Sequence, residues 1–185
     1  MGRPCRPLPA KLIIGFIWNN DAALDKALRV LTRRFGPTDA RGPDLPFDGT
    51  DYYVREMGPG LKRTFVGFRR LIRTTDLPAI KLGTNALEKR LAPEGRRRVN
   101  IDPGYVSLAK LVLATTKNYC HRLYAGRGIF EEVTLSFRNN AFEPLAHTYP
   151  DLRRTQNIAF FNAVRALYMR QITSSYGHAA LSRCP

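Results

Sequence analysis

Side chains that can bind an anion or move a proton are concentrated in one segment, between residues 102 and 131. The segment contains Asp102, Tyr105, Lys110, Lys117, His121, Arg122 and Glu131. Lysine and arginine hold phosphate or carboxylate groups through charge-assisted hydrogen bonds. A pocket of this composition suits a phosphorylated, nucleotide or carboxylated small molecule. If the protein is an enzyme, His121 or Asp102 is the candidate general base, and a binding protein without catalysis is the alternative.

Two predicted strands bring part of this segment together. Residues 119–124 and 129–137 are joined by a turn that places Arg122 opposite Glu131 and His121 opposite Glu132. Glu131 is in phase with apolar neighbours, so its carboxylate faces the interior and needs a partner charge. The sequence therefore predicts a buried Arg122–Glu131 pair, which is either a structural ion pair or part of a pocket.

Sequence motifs for nucleotide and metal binding are absent. A P-loop needs Gly-x4-Gly-Lys-Ser/Thr, and the nearest string, Gly58-Pro-Gly-Leu-Lys62, is better explained as a turn. No Gly-x-Gly-x-x-Gly follows a predicted strand. Histidine and cysteine do not occur at metal-ligand spacing, so no metal site is predicted and no cofactor is indicated.

The charge of the chain gives a second hypothesis. Its formal net charge is +15, and arginine dominates the basic residues, which favours an anionic partner or reflects a GC-rich coding sequence. Because the segment 60–98 is strongly basic, a nucleic-acid-binding module is the alternative. Its phosphate contacts would be Arg69, Arg70, Arg73, Arg96, Arg97 and Arg98. A third hypothesis is a protein-interaction or assembly factor, and no oligomeric state is predicted.

The remaining pattern predicts one α+β domain at 11–172, between a basic proline-rich tail at 1–10 and a flexible C-terminal tail at 173–185. The predicted elements are a strand at 11–18, a helix from Asn20 or Asp21 to Phe35, a hairpin of 51–57 and 61–72, a helix at 75–91, a strand at 96–106 bent at 102–104, a strand or short helix at 107–117, a β-meander at 119–145 and a helix at 156–172. The first six elements follow the ferredoxin-like order, which implies antiparallel strands with both helices on one face.

Cysteine usage predicts a cytoplasmic protein. Cys5, Cys120 and Cys184 are an odd number, and a disulfide framework is therefore not expected. Cys120 is interpreted as a small core residue. No apolar run approaches the ~20 residues that a bilayer span requires, so no membrane partner is predicted.

Several blocks of sequence resemble domain-of-unknown-function family 4416, a group of bacterial and archaeal proteins. The longest block runs from Val99 to Tyr124, and the others are Asp51-Tyr-Tyr, Glu56-Met-Gly58, Gly60-Leu-Lys-Arg63, Phe130-Glu-Glu-Val-Thr134 and Thr148-Tyr-Pro-Asp151. The resemblance covers residues 11–172 and implies no activity. Some members are labelled GTP-binding proteins, a role that the missing P-loop does not support here.

Overall fold

The computed structural model describes residues 4–48 and 52–177, and this part of the chain has an α+β architecture around a nine-stranded antiparallel sheet. The strands are β1 Ala10–Trp18, β2 Thr38–Arg41, β3 Leu45–Pro46, β4 Lys62–Ile72, β5 Val99–Val106, β6 Lys110–Thr115, β7 Leu123–Gly126, β8 Ile129–Arg138 and β9 Ala141–Pro144. The α-helices are α1 Asp21–Phe35, α2 Val54–Met57, α3 Leu77–Arg90 and α4 Thr155–Tyr176. The strand order is β2-β4-β1-β5-β6-β8-β7, with β3 paired to β4 and β9 paired to β8.

The predictions for β1 and α1 are confirmed. Every residue of β1 is buried, because the strand lies between β4 and β5 and helices cover both of its faces. The Asn20 side chain accepts a hydrogen bond from the Ala23 amide over 2.9 Å and caps α1. Gly36, with a φ of 88°, ends the helix in a conformation that favours glycine.

The sheet is the middle layer of three. Leu12 and Phe16 of β1 belong to the core cluster that includes Leu24 of α1 and Ile80 of α3. On the opposite face, Ile13 shares a core cluster with residues of α4. The helix predicted at 156–172 continues to Tyr176. None of the helices in the described part of the chain is long and apolar enough to cross a bilayer.

The predicted hairpin before β4 is wrong in its first strand. The short helix α2 occupies most of the segment 51–57, and Asp51 itself lies outside the described residues. Tyr53 and Met57 have helical spacing, and both pack in a small apolar cluster with Ile17. The outer edge of β4 pairs instead with β2 and β3, which form where the sequence predicts a connection.

The predicted bend at 102–104 is also wrong, since the pairing of β5 with β1 continues through it. Pro103, which has no N–H, lies opposite Ile14 of β1 and precedes the residues that pair with β6, so no hydrogen bond to β6 is lost there. Gly104 allows β6 to approach closely, because a Cβ atom at this position would lie 2.3 Å from the Val112 carbonyl oxygen. Proline and glycine therefore fit this strand without interrupting it.

The buried side chain of Lys11 in β1 connects this strand to two other strands and to the C-terminal helix. Lys11 has no solvent exposure, and its Nζ donates to Asp39 Oδ2 over 2.7 Å, to the Phe68 carbonyl oxygen over 3.0 Å and to Gln171 Oε1 over 3.0 Å. Burial lowers the pKa of Lys11, and Asp39 opposes that shift. The three N–H donors connect β1 to the β2 and β4 strands and to α4.

Two predictions about cysteine need correction. Cys120, interpreted as a core residue, is an exposed free thiol. Cys5 is disulfide-bonded, so the chain forms a disulfide although the sequence predicts no disulfide framework, because an odd number of cysteines still permits one bond. Cys184 lies outside the described residues.

Candidate ligand cavity

A cavity of about 450 Å³ lies on the α4 side of the sheet, between β5, β6 and the segment that precedes α4. We call it the main cavity. Its charged wall consists of Arg63, Asp102, Lys117, Arg122, Glu132 and Asp151. Its other lining residues are Ile17, Phe47, Tyr52, Tyr53, Leu113, Ala114, Thr115, Tyr149, Pro150 and Leu152. The cavity therefore combines aromatic rings with charges of both signs.

The cavity forms where two neighbouring strands stop pairing. The ladder between β5 and β6 ends at Gly104 and Leu113. Beyond that point Asp102 of β5 and Ala114 of β6 both line the cavity, while β6 continues its pairing with β8 on the other side. The gap between the two strands places the carboxylate of Asp102 at the cavity wall.

Asp102 is held as a carboxylate by donors from three sides. Lys81 Nζ donates to Oδ1 over 3.1 Å, Asn100 Nδ2 donates to Oδ2 over 2.7 Å, and Arg63 Nη1 lies 3.4 Å from Oδ2. Burial opposes ionisation, but the charges of Lys81 and Arg63 outweigh it and lower the pKa of Asp102. A carboxylate with a lowered pKa is a weak general base, so this geometry favours a charge-balancing role.

Arg63 is the most buried cation in the wall of the main cavity, with 5 % of its surface exposed. Its Nε lies 3.5 Å from Asp151 Oδ2 but has no hydrogen-bond partner in the described part of the chain. Its guanidinium carbon lies 4.5 Å from the centre of the Phe65 ring. Gly15 leaves the space, because a Cβ atom there would lie 2.9 Å from Arg63 Nη2.

The rim of the cavity is built around Arg122. Its Nε donates to Glu132 Oε2 over 2.7 Å, Nη1 donates to the Lys117 carbonyl oxygen over 3.1 Å, and Nη2 donates to Tyr149 Oη over 3.3 Å. The charge of Lys117 also lies at the rim, where Nζ donates to Tyr52 Oη over 2.9 Å. These contacts fix the loop before β7 against β8.

The predicted Arg122–Glu131 pair is wrong by one residue. A register shift between Tyr124 and Gly126 places Leu123 opposite Glu131, so Arg122 reaches Glu132 instead. A second irregularity, where β8 pairs with β6 at Leu111 and Val112, changes which face the β8 side chains occupy. Glu132 is consequently buried, and Glu131 is only half-buried, with its pKa raised by burial.

The predicted site residues divide into three groups. Asp102, Lys117 and Arg122 line the main cavity. His121 lies beside it, with Nε2 3.1 Å from Glu132 Oε2 and its ring stacked on His147 at 4.1 Å. Tyr105, Lys110 and Glu131 do not line it. Tyr105 is buried among apolar side chains, where burial raises its pKa to about 12.

Sequence reasoning missed Arg63, Lys81 and Asp151, and it placed Glu132 opposite His121 without including it among the site residues. Arg63 did carry a signal, since it lies two positions before Phe65 in β4 and therefore shares the buried face of that residue. The sequence signal for Lys81 was weaker, because a lysine next to the apolar face of a helix is ordinarily solvated. Across residues 4–48 and 52–177, no group of three His, Cys, Asp or Glu side chains is arranged to hold a metal ion.

A second polar cluster lies behind Asp102. Glu88 of α3 accepts a hydrogen bond from the Ile101 amide over 2.8 Å and one from Arg97 Nη1 over 3.1 Å. Burial raises the pKa of Glu88. Arg97 also donates to Glu56 of α2. This cluster ties α2, α3 and β5 together at the end of the sheet where the main cavity opens.

The arginines of the nucleic-acid hypothesis lie near opposite ends of the sheet. β4 reaches Ile72 opposite Ala10, whereas β5 begins at Val99 opposite Trp18. Since β1 separates these ends, they are about 26 Å apart along an extended strand. The first group is Arg69, Arg70 and Arg73, and the second is Arg96, Arg97 and Arg98. The two groups therefore do not form one compact surface.

Fold and cavity together define an α+β protein whose antiparallel sheet separates between two strands to form a charged cavity with aromatic walls. Comparison with known sequences gives the family. The family described as Domain of unknown function (DUF4416) matches residues 8–168, and the chain belongs to it. No curated protein and no solved structure matches the chain.

Proposed function

We propose that the protein binds a small anionic molecule in the main cavity. The observation that carries the proposal is the buried guanidinium of Arg63, whose Nε has no hydrogen-bond partner in the described residues. Its two carboxylate contacts, at 3.4 and 3.5 Å, are long for charge-assisted hydrogen bonds. An unpaired buried donor costs about 1–3 kcal/mol. A ligand oxygen that accepts from Arg63 would recover that free energy.

Two further cations in the wall of the main cavity favour the binding of an anionic ligand. Lys117 is exposed at the rim, where its Nζ contacts the Tyr52 side chain and leaves donors for a ligand. Arg122 lines the same cavity. With Arg63 they place three positive groups around one volume, so a phosphate or carboxylate entering it would meet donors on several sides.

The aromatic residues of the main cavity favour a ligand that also contains a planar group. Tyr52 and Tyr149 are 58 % and 52 % exposed, and both line the main cavity. Exposed tyrosine rings beside a cavity offer stacking surfaces with a hydroxyl at one end. The volume of about 450 Å³ lies in the range of small-molecule sites. A nucleotide or an aromatic carboxylate combines both features.

Binding is better supported than catalysis. Of the two candidate bases, Asp102 has a lowered pKa, and His121 does not line the cavity. The nucleic-acid alternative gains nothing from arginines at opposite ends of the sheet. The interaction or assembly alternative is supported only by the edge strand β7, where Leu123 is 78 % and Tyr124 is 65 % exposed.

The first half of the chain is, by the same inference, a ferredoxin-like unit. Its support is the order β2-β4-β1-β5 with antiparallel neighbours and the packing of α1 and α3 against one face. In this interpretation β6 to β9 and α4 are additions that complete the main cavity.

A thermal-shift screen against nucleotides, sugar phosphates and aromatic carboxylates tests the proposal. A ligand at 100 times its dissociation constant adds about 2.7 kcal/mol to the unfolding free energy. Lys117→Gln, at an exposed position, should weaken binding about tenfold or more, because it removes a charge-assisted contact. Arg138→Gln is the control, since Arg138 is exposed at the end of β8. Equal loss in both variants, or no stabilising ligand, would contradict the proposal.

A further inference from the structure

We propose a second anion site, which binds the phosphate group of a small phosphorylated molecule between the start of α1 and the end of α3. A concavity of about 400 Å³ lies there, and we call it the helix-layer concavity. It is lined by Asn20, Ala22, Ala23, Lys26, Arg90, Leu91, Pro93 and Arg98. This site is independent of the main cavity, because α1 and α3 cover one face of the sheet and the main cavity lies on the other.

The positive groups of this concavity have no ion-pair partners among residues 4–48 and 52–177. The exposed side chains of Lys26, Arg90 and Arg98 make no hydrogen bond and no ion pair in the described part of the chain. Two arginines outside it are paired, since Arg73 is bound to Asp76 over 2.7 Å and Arg97 to two glutamates, whereas exposed arginines such as Arg33, Arg138 and Arg170 have no ion pair among the described residues. The helix-layer concavity is therefore lined by cationic side chains that form no ion pairs with described residues.

The lining contains no carboxylate. In the main cavity three carboxylates offset the positive side chains, whereas the lining of the helix-layer concavity contains three cations and no carboxylate. Like charges in one concavity repel each other, and an anion between them removes that repulsion. A phosphate monoester carries nearly two negative charges and three acceptor oxygens, so it matches three donors better than a carboxylate does.

The size of the concavity favours a small ligand over a polymer. Its volume of about 400 Å³ is that of a small-molecule site. Leu91 and Pro93 add an apolar surface beside the cations, which suits a short carbon substituent on the phosphate. The other arginine group, Arg69, Arg70 and Arg73, lies about 26 Å away along the strands and does not line this concavity.

Titration with inorganic phosphate, at ionic strength held constant with chloride, tests the site by calorimetry and thermal shift. The variant Lys26→Gln/Arg90→Gln/Arg98→Gln is compared with Arg33→Gln/Arg138→Gln/Arg170→Gln. The control loses the same charge from exposed positions that do not line the concavity. Unfolding midpoints in chloride alone establish that both variants fold.

The expected result is phosphate binding to the wild type, at least tenfold weaker binding to the first triple variant and unchanged binding to the control. Lys117→Gln should leave phosphate binding at this site intact, which separates it from the main cavity. Equal weakening in both triple variants would show that only net charge matters and would overturn the proposal. So would a wild type that ignores phosphate but binds a short mixed-sequence RNA through Lys26, Arg90 and Arg98.

Discussion

Arg122 Nε donates a hydrogen bond to Glu132 Oε2 over 2.7 Å, and their side chains are 7 % and 3 % exposed. The same carboxylate oxygen lies 3.1 Å from His121 Nε2. Glu132 thus fastens the loop before β7 to the middle of β8. The Glu132 carboxylate therefore fixes the position of the loop that brings Arg122 to the main cavity.

Replacing Glu132 with alanine should cost about 3–5 kcal/mol of unfolding free energy, because it leaves the buried Arg122 without its partner charge. Glu131→Ala is the matched control, since Glu131 is the neighbouring residue and is only half-buried. Its cost should stay below about 1 kcal/mol. Urea unfolding of both variants gives the measurement, and a larger loss for Glu131 would contradict the observed register.

Lys11→Met should cost a comparable amount, about 3–5 kcal/mol, because it leaves Asp39 without its partner inside the fold. Lys89→Met is the comparison, as Lys89 is exposed in the last turn of α3 and should change the free energy by no more than about 0.5 kcal/mol. Chemical unfolding distinguishes the two. Similar small effects would mean that the Lys11 cluster does not join β1 to α4.

Gly15→Ala should destabilise the protein by about 1–3 kcal/mol, because the added methyl group would lie 2.6 Å from Phe65 Cε1 and 2.9 Å from Arg63 Nη2. It should also weaken ligand binding by displacing Arg63. Gly83→Ala meets only the end of the flexible Arg34 side chain and lies inside α3, so it should be neutral or stabilising by up to about 1 kcal/mol. The opposite ranking of the two variants would contradict the packing around Arg63.

The stabilising contribution of Asp102 should depend on pH. Its pKa in the folded protein lies below the ordinary value of 3.8, so the folded state binds the proton more weakly than the unfolded state. The contribution is therefore fully present above 3.8 and is lost as the pH falls through the lower folded pKa. Asp102→Asn should be less stable than the wild type near neutral pH, and the difference should shrink in acid. A difference that stays constant or grows with acidity would contradict this sign.

The sequence predicts those parts of the fold that depend on local pattern. The apolar run of β1, the Asn20 cap and the stop at Gly36 need no tertiary information, and the structure contains all three. The strand predicted before β4 fails because Tyr53 and Met57 fit a helix turn as well as a strand. Only the packing against Ile17 decides between them.

The candidate site was less predictable, because its geometry depends on irregular pairing. One register shift near Gly126 exchanges Glu131 for Glu132 as the partner of Arg122. Arg63 and Asp102 are thirty-nine positions apart, and they meet across Gly15 of the strand between theirs. The charges in the segment 102–131 indicated a polar site, but its most buried cation comes from a strand outside that segment.

The most direct measurement is the side-chain ¹⁵N–¹H resonance of Arg63 Nε, assigned by its loss in Arg63→Lys and followed while the ligand found in the screen is added. The Nε proton has no acceptor in the described protein, so a bound anion should shift this resonance and slow its exchange with water. The exposed Arg138 should show neither change. A ligand that saturates the protein and leaves the Arg63 Nε signal unmoved would contradict the proposed role of the main cavity.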